Sequence, residues 1–404
     1  MATLASTRPL DLVADFPAIP SGWAYLDTAA TAQKPKPVID AITRGYAESY
    51  ATVHRGVYQR SADMTLAFEA SRHRVARFIN APSPDEIIFV RGATEAINLV
   101  AHSWGNGLKP GDRILLSTLE HHSNIVPWQL LRDRTGIAID VAPLTEDGRI
   151  DLDAVEAMLT PQHKLVALAH VSNVLGSVLD ARRAANLAHC VGAKLLLDGC
   201  QAVPRLAVDV QALGCDFYAI TGHKMLGPTG TGALWARREH LQAMPPFFGG
   251  GEMIREVSFN GTTFAEPPHK FEAGTPNIAG FAGLSAAMDY YQSVGFDAIH
   301  AWEERLLAYA TERLRDIPGL RIIGEAKDKE PVISFLIEGA QATDLATLLD
   351  LEGVAVRSGH HCAHPLMQFY GVPATLRASL AFYNTREEID AFITALLKVR
   401  KLLL

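Results

Sequence analysis

The chain has 404 residues, of which 48% are hydrophobic and 20% charged, and a formal net charge of −7. This is a globular balance that supports a full core and leaves room for one large domain with a smaller one attached. The negative charge gives no electrostatic reason to expect nucleic acid or an anionic membrane as partner, and no apolar run approaches the roughly 18 residues of a membrane span.

Residues Met1 to Pro20 carry one Arg, two Asp and no long apolar stretch, so they resemble neither a signal nor a transit peptide. Tyr25-Leu26-Asp27 reads as a short strand, and Pro35 and Pro37 open a helix that runs through Tyr46. His54-Arg55-Gly56 falls in a polar, irregular stretch whose plain reading is a surface loop. Residues 67–79 place Phe68, Val75, Phe78 and Ile79 on one helical face. A strand over 87–90 then runs into Arg91-Gly92-Ala93-Thr94-Glu95 and a helix over 96–101. Glycine followed by a hydroxyl residue at a helix start suits an anion, although an ordinary N-cap explains the same pattern.

A strand over 114–116 precedes His121-His122. With no ligand-spaced carboxylate or cysteine beside them, metal is discounted, and an imidazole lying on an aromatic cofactor is the better functional reading. Strands over 137–141 and 164–171 follow, the second ending at Ser172-Asn173, and a helix spans 181–190. Leu195-Leu196-Leu197 delivers Asp198, with Gln201 in the turn, and Phe217-Tyr218-Ala219-Ile220 delivers Thr221-Gly222-His223-Lys224. Such apolar runs are buried strands of a parallel sheet, and ligands of such sheets sit at the carboxyl ends. The alternation of strands and helices predicts an α/β fold with a mainly parallel central sheet flanked by helices. An Asp and a Lys at two strand ends suit pyridoxal phosphate, where one pairs with the pyridinium nitrogen and the other forms the Schiff base. A buried ion pair without cofactor is the competing reading.

Beyond Lys224 a strand is expected over 232–235, a hairpin near the active face over 252–269, and a turn at Gly274-Thr275-Pro276-Asn277 that opens a helix over 278–291. The pattern then changes to a smaller α+β domain. It has helices over 296–317, 343–351 and 386–404 and strands over 332–337, 354–357 and 376–381. The expected division is a large cofactor-binding domain over 25–291 and a small domain over 1–24 and 292–404. Of the four cysteines, Cys190, Cys200 and Cys215 lie in apolar or strand-like surroundings and read as buried small residues, a usage that fits a reducing cytoplasm. Cys362 follows Gly359-His360-His361 in a loop, where nearby imidazoles favour a thiolate; a bland loop cysteine is the alternative. Arg377, on a strand, suits a substrate carboxylate or a structural ion pair.

In combination, E-H-H-S-N-I-V-P-W (120–128), T-G-H-K (221–224), F-E-A-G-T-P-N (271–277) and R-S-G-H-H-C-A (357–363) resemble the cysteine desulfurases of aminotransferase class V. These are fold-type I pyridoxal phosphate enzymes, and the likeness is closest to the SUF-type, or group II, branch. It covers the chain from about Tyr25 to Leu404. The resemblance implies conversion of L-cysteine to L-alanine, with sulfur held as a persulfide on Cys362 for iron-sulfur cluster assembly or a related pathway. Lys224 would carry the Schiff base, Asp198 would meet the ring nitrogen, His121 would stack on the ring and Gln201 would bond its phenolic oxygen. Thr94, Thr221 and His223 would hold phosphate, joined by Thr275 from a neighbouring subunit of a homodimer. Asn173 and Arg377, with Arg357, would bind substrate, and His54 and Arg55 match a segment near the partner's site. A sulfur-acceptor protein is implied as partner. His364 stands where relatives commonly carry Met or Gln. A selenocysteine lyase, a simple aminotransferase and a non-catalytic cofactor-binding scaffold remain as rivals.

Overall fold

The structure, a computed structural model, describes residues 10–404. The expectations for the leader region and for the start of the small domain fall in part on residues 1–9 and lie outside the described residues.

A two-residue strand, Ala24–Tyr25 (β1), comes first. The central sheet follows from Ile87–Val90 (β2), Arg113–Ser117 (β3), Ala138–Ala142 (β4), His163–Ala169 (β5), Lys194–Asp198 (β6), Phe217–Thr221 (β7) and Gly232–Ala236 (β8). Its spatial order is β2-β8-β7-β6-β5-β3-β4. Strands β4, β3, β5, β6 and β7 pair in parallel, whereas β8 runs antiparallel to both neighbours. The sheet is therefore mainly parallel, as its apolar runs predict. The reversal at β8 follows from the link over 222–231, which is too short for the crossover of about a dozen residues that a parallel return needs. Leu195, Leu196 and Leu197 are all fully buried, because helices cover both faces. Helices Ala93–Ser103 and Val126–Thr135 lie on one side with Ile97, Val100, Trp128 and Leu131 in the core. The helix Ile278–Val294 and the helices Lys36–Ala47 and Gln59–Phe78 cover the other.

Ile254–Ser258 (β9) and Gly261–Phe264 (β10) form an isolated hairpin that leaves Val257 and Phe259 exposed. A second sheet has Leu320–Ile323 (β11), Val332–Ile337 (β12), Arg357–Gly359 (β14) and Thr375–Ser379 (β15) in the order β11-β12-β15-β14, all antiparallel. Val354–Ala355 (β13) pairs with β1 instead, so the single strand expected over 354–357 is two, broken at Val356 as the chain changes partners. The helix expected from residue 67 begins at Gln59, and the strand β11 and the helix Val126–Thr135 carry no clear period in the sequence. Cys190 is exposed rather than buried. The buried stripe of its helix runs through Ala181, Ala184, Ala185 and Ala188, and position 190 falls off that stripe. Among the described residues no helix is long and apolar enough to cross a membrane.

Candidate active site

A cavity of about 690 Å³ opens at the carboxyl ends of β5, β6 and β7, where the second sheet meets the first. It gathers Thr94, His121, Asn173, Asp198, Gln201, Thr221, His223, Lys224, Arg357, Cys362 and Arg377. Thr275, His54 and Arg55 do not line it.

Asp198 ends β6, and its Oδ1 accepts the backbone N–H of Cys200 at 3.0 Å. Gly199 permits this turn, since a Cβ there would meet the Tyr218 ring at 2.1 Å. Gln201 donates from Nε2 to the Ala29 carbonyl (2.7 Å) and accepts from Arg205 Nη1 on Oε1 (2.8 Å). The amide orientation is thereby set, with one Nε2 hydrogen left over. Lys224 follows β7 in a tight turn that is strapped from outside: the His223 carbonyl accepts from Ala32 N (3.0 Å) and Lys34 Nζ (2.9 Å). Burial lowers Lys34 to about 8, and burial with the Lys224 charge lowers His223 to about 4.

Gly92 precedes the helix Ala93–Ser103, whose first intrahelical bond is made by Ala96 N to the Gly92 carbonyl (3.1 Å). The N–H groups of the open first turn face an anion-ready end of the helix dipole. A Cβ on Gly92 would come within 3.2 Å of Thr221 Oγ1, so glycine lets the hydroxyl approach the helix start. His121 accepts the Ser123 backbone N–H on Nδ1 (3.1 Å), which places its ring hydrogen on Nε2. Burial, then the Lys224 charge, pushes this imidazole down to about 4, so it stays neutral. Glu120, fully buried, ties the ends of β3 and β5 together through Ser117 Oγ (2.6 Å) and Ala169 N (3.1 Å).

Arg377 reaches in from β15, only 2% exposed. Its Nη2 donates to Asp27 Oδ1 (2.9 Å) and its Nη1 to the Asn173 carbonyl (2.8 Å), while Nε has no partner. The Asn173 side chain donates to the His361 carbonyl (2.8 Å). His361 and Cys362 both adopt left-handed backbone, with φ of 52° and 57°. Each costs roughly 1–2 kcal/mol in a non-glycine residue. The strain is held by Asn173, by His122 N on the Cys362 carbonyl (2.8 Å) and by His361 Nε2 against Thr375 Oγ1 (2.9 Å). This pair of turns leaves the Cys362 side chain exposed at the cavity wall. His364 lies over His360 with centroids 3.7 Å apart and stacks on His122 at 5.3 Å, bracing the loop from outside. His361 does not supply the positive charge expected of an imidazole beside the thiol. Burial and the Arg377 charge hold it down to about 3, which keeps it neutral.

Several contributors are not visible in the sequence. Asp27, the partner of Arg377, lies 350 positions away from it, and Ser123 acts only by fixing a tautomer. Cys200 lines the cavity half-buried, its thiol held well up by burial and by Asp198. Away from the cavity, Arg55 pairs with Glu252 (3.0 Å) and His54 with Glu69 (2.9 Å). His54, Glu69 and His269 bring ligand atoms within 4.8 Å of one another, but Arg72 already holds both Glu69 oxygens, at 2.8 and 3.2 Å.

The sequence is 58% identical over 380 residues to a probable cysteine desulfurase of Xylella fastidiosa, covering 94% of this chain and 91% of that one. It is 50% identical to a cysteine desulfurase of Dickeya dadantii, covering 98% of each. Among solved structures it matches the S-sulfonic acid form of the cysteine desulfurase CsdA from Escherichia coli with a TM-score of 0.93 and 40% identity, covering 99% of this chain and 100% of that one. The apo cysteine desulfurase of Thermococcus onnurineus gives a TM-score of 0.94 at 37% identity, with the same coverage. The pattern of one family spans residues 24–392, and with these relatives it shows that the chain belongs to the aminotransferase class-V family.

Proposed function

We propose that the protein is a pyridoxal-phosphate-dependent cysteine desulfurase that converts L-cysteine to L-alanine and takes the sulfur onto Cys362 as a persulfide. The observation that carries this reading is one cavity holding Lys224, Asp198 and an exposed Cys362 thiol beside the partnerless Nε of a buried Arg377. Relatives 50% and 58% identical that bear the name cysteine desulfurase support it.

The residues fit the cofactor. Asp198 has one oxygen engaged by Cys200 and the other available to a protonated ring nitrogen. The first turn of the helix Ala93–Ser103, with Thr94, Thr221 and His223, suits a phosphate, and Gln201 keeps an amide hydrogen for a phenolic oxygen. Lys224 is the amine for the Schiff base, and His121 is the ring for stacking. Bound there, pyridoxal phosphate supplies an electron sink for the pair left at the substrate Cα.

The chain's own groups do the rest. Arg377, with Asn173 and Arg357 beside it, orients the substrate carboxylate. The Lys224 amine takes the Cα proton and can return one. His121, neutral with its hydrogen on Nε2, is a donor at the same pocket. The Cys362 thiolate attacks the substrate sulfur: an S–S bond forms, the Cβ–S bond breaks, and its electron pair stays on carbon, where protonation completes the methyl group of alanine. The persulfide is then available to the thiol of an acceptor protein.

The SUF-type, group II assignment, and delivery to iron-sulfur cluster assembly, rest on R-S-G-H-H-C-A over 357–363; the Escherichia coli relative bears the name CsdA. The division into a large domain over 25–291 and a small one over 1–24 and 292–404 is supported by the separate central and four-stranded sheets. The homodimer is supported by Thr275, His54 and Arg55. They lie off the chain's own cavity, and His54 and Arg55 pair with Glu252, two residues before the exposed β9-β10 hairpin. Four free cysteines fit a reducing cytoplasm.

Incubation with L-cysteine tests the reading. The intact mass should rise by about 32 Da for one sulfur, mapping to Cys362, with alanine released. Persulfide on another cysteine, or alanine at an undiminished rate from Cys362→Ser, overturns it. A fully active monomer in sedimentation at assay concentration overturns the dimer.

A further inference from the structure

The turn after β6 holds a second guanidinium nearly as deep as that of Arg377. Arg205 is 3% exposed, and its Nη1 donates to the Gln201 carbonyl (3.1 Å) and to Gln201 Oε1 (2.8 Å). Glu303, on the helix Phe296–Arg315 and equally buried, faces it with Oε2 4.0 Å from Arg205 Nε. An arginine kept for a structural ion pair commonly closes a two-pronged contact at about 2.7–2.9 Å. This one does not. Among the described residues Arg205 Nε, Arg205 Nη2 and Glu303 Oε2 are buried without a hydrogen bond, while Glu303 Oε1 accepts from Phe382 N (2.9 Å). The hydrogen bonds that the Arg205 guanidinium does make all end on Gln201.

A cavity of about 10 Å³ beside the pair, lined by Lys224, Arg205, Glu303 and Tyr383 among others, is too small for an organic ligand. Gln201 itself is 2% exposed, with Nε2 donating to the Ala29 carbonyl (2.7 Å). Without Arg205, Oε1 would be a buried acceptor with no donor, and the amide would lose the contact that sets its direction at the cavity it lines. The other titratable groups that feel the Arg205 charge are Tyr291, Glu330, Arg377 and Tyr383, and none of them hydrogen-bonds the Gln201 side chain.

We infer that Arg205 is a positioning residue: it locks Gln201 with an amide hydrogen towards the cofactor's phenolic oxygen, and so sets the proton affinity of the Schiff-base link at Lys224. The inference rests on the cofactor reading above. A donor at the phenolic oxygen stabilises its anionic form, which lowers the proton affinity of the nitrogen that shares a proton with it.

The test is a pH titration of the full chain loaded with pyridoxal phosphate, followed by the cofactor's visible absorbance band. Arg205→Met should move the midpoint up by about one pH unit, the tenfold in proton affinity expected when a hydrogen bond to a charged group is lost. Gln201→Ala should move it the same way, and adding Arg205→Met to that variant should move it no further, because the effect runs through Gln201. Burial already pushes Glu303 up to about 8. Arg205→Met is therefore repeated together with Glu303→Gln, which strands no carboxylate and keeps an oxygen for Phe382 N. A midpoint that Gln201→Ala shifts but neither Arg205 variant does overturns this proposal alone. So does an Arg205→Met shift that persists undiminished beside Gln201→Ala. A wild-type chain that shows no such band overturns the cofactor reading and this proposal with it.

Discussion

Arg377→Ala separates a substrate-binding guanidinium from one that merely holds the fold. In the structure Arg377 spends Nη1 on the Asn173 carbonyl and Nη2 on Asp27, leaving Nε without a partner. Truncation frees the Asn173 carbonyl, at a cost of roughly 1–3 kcal/mol to stability if it stays buried and unpaired. Asp27 keeps Arg357 at 3.8 Å, so its charge is not stranded. The catalytic loss is larger. A buried, hydrogen-bonded charge pair that loses one member costs about 2–5 kcal/mol, which at ~1.4 kcal/mol per tenfold is about 30- to 5,000-fold in kcat/KM. The loss should fall chiefly on KM, because the carboxylate is held before and during the reaction alike. The assay is alanine release across a range of L-cysteine concentrations, normalised to bound cofactor by absorbance. Arg377→Lys, which keeps the charge but not the planar fork, should recover part of the loss. A wild-type kcat/KM in Arg377→Ala, with cofactor content unchanged, refutes the assignment.

Lys224→Ala should abolish the borohydride-trappable link to the cofactor; a covalent adduct after reduction of that variant refutes the Schiff-base role. Cys200→Ala should leave the persulfide yield per folded chain unchanged although the residue lines the cavity, because burial and Asp198 hold its thiol protonated; mass mapping reads this directly. His170, buried against the Tyr218 hydroxyl at 2.8 Å, is held down by burial to about 4, against 6.5 unperturbed. The unfolded chain therefore takes up this proton first as pH falls, so the contribution to stability is whole above 6.5 and is lost progressively towards about 4. Urea midpoints of His170→Gln should fall less steeply over that window than those of wild type, and parallel curves refute the attribution. Thr385→Ala removes a capping box in which Thr385 Oγ1 accepts from Glu388 N at 3.2 Å and Glu388 accepts from Thr385 N at 2.8 Å. It should cost about 1 kcal/mol in denaturant unfolding.

The amino-acid sequence by itself determined the central sheet. Its strands are short apolar runs whose burial on both faces needs no tertiary information to recognise, and β2, the helix Ala181–Cys190 and β12 fall where the pattern puts them. It also carried Asp198 and Lys224, because a polar residue at the end of a buried strand is a local signal. Tertiary structure alone decided which groups meet. Arg377 gains Asp27 across 350 positions, and Asn173 clamps the His361 carbonyl across 188, contacts that no local period encodes. It decided as well that His361 is neutral, since desolvation depends on what surrounds the ring rather than on its neighbours in sequence. Thr275, His54 and Arg55 mark the same limit from the other side: their motifs are legible in the chain, but the fold places them away from the cavity. Local propensity writes the elements, and the distribution of burial and charge among distant residues makes the site.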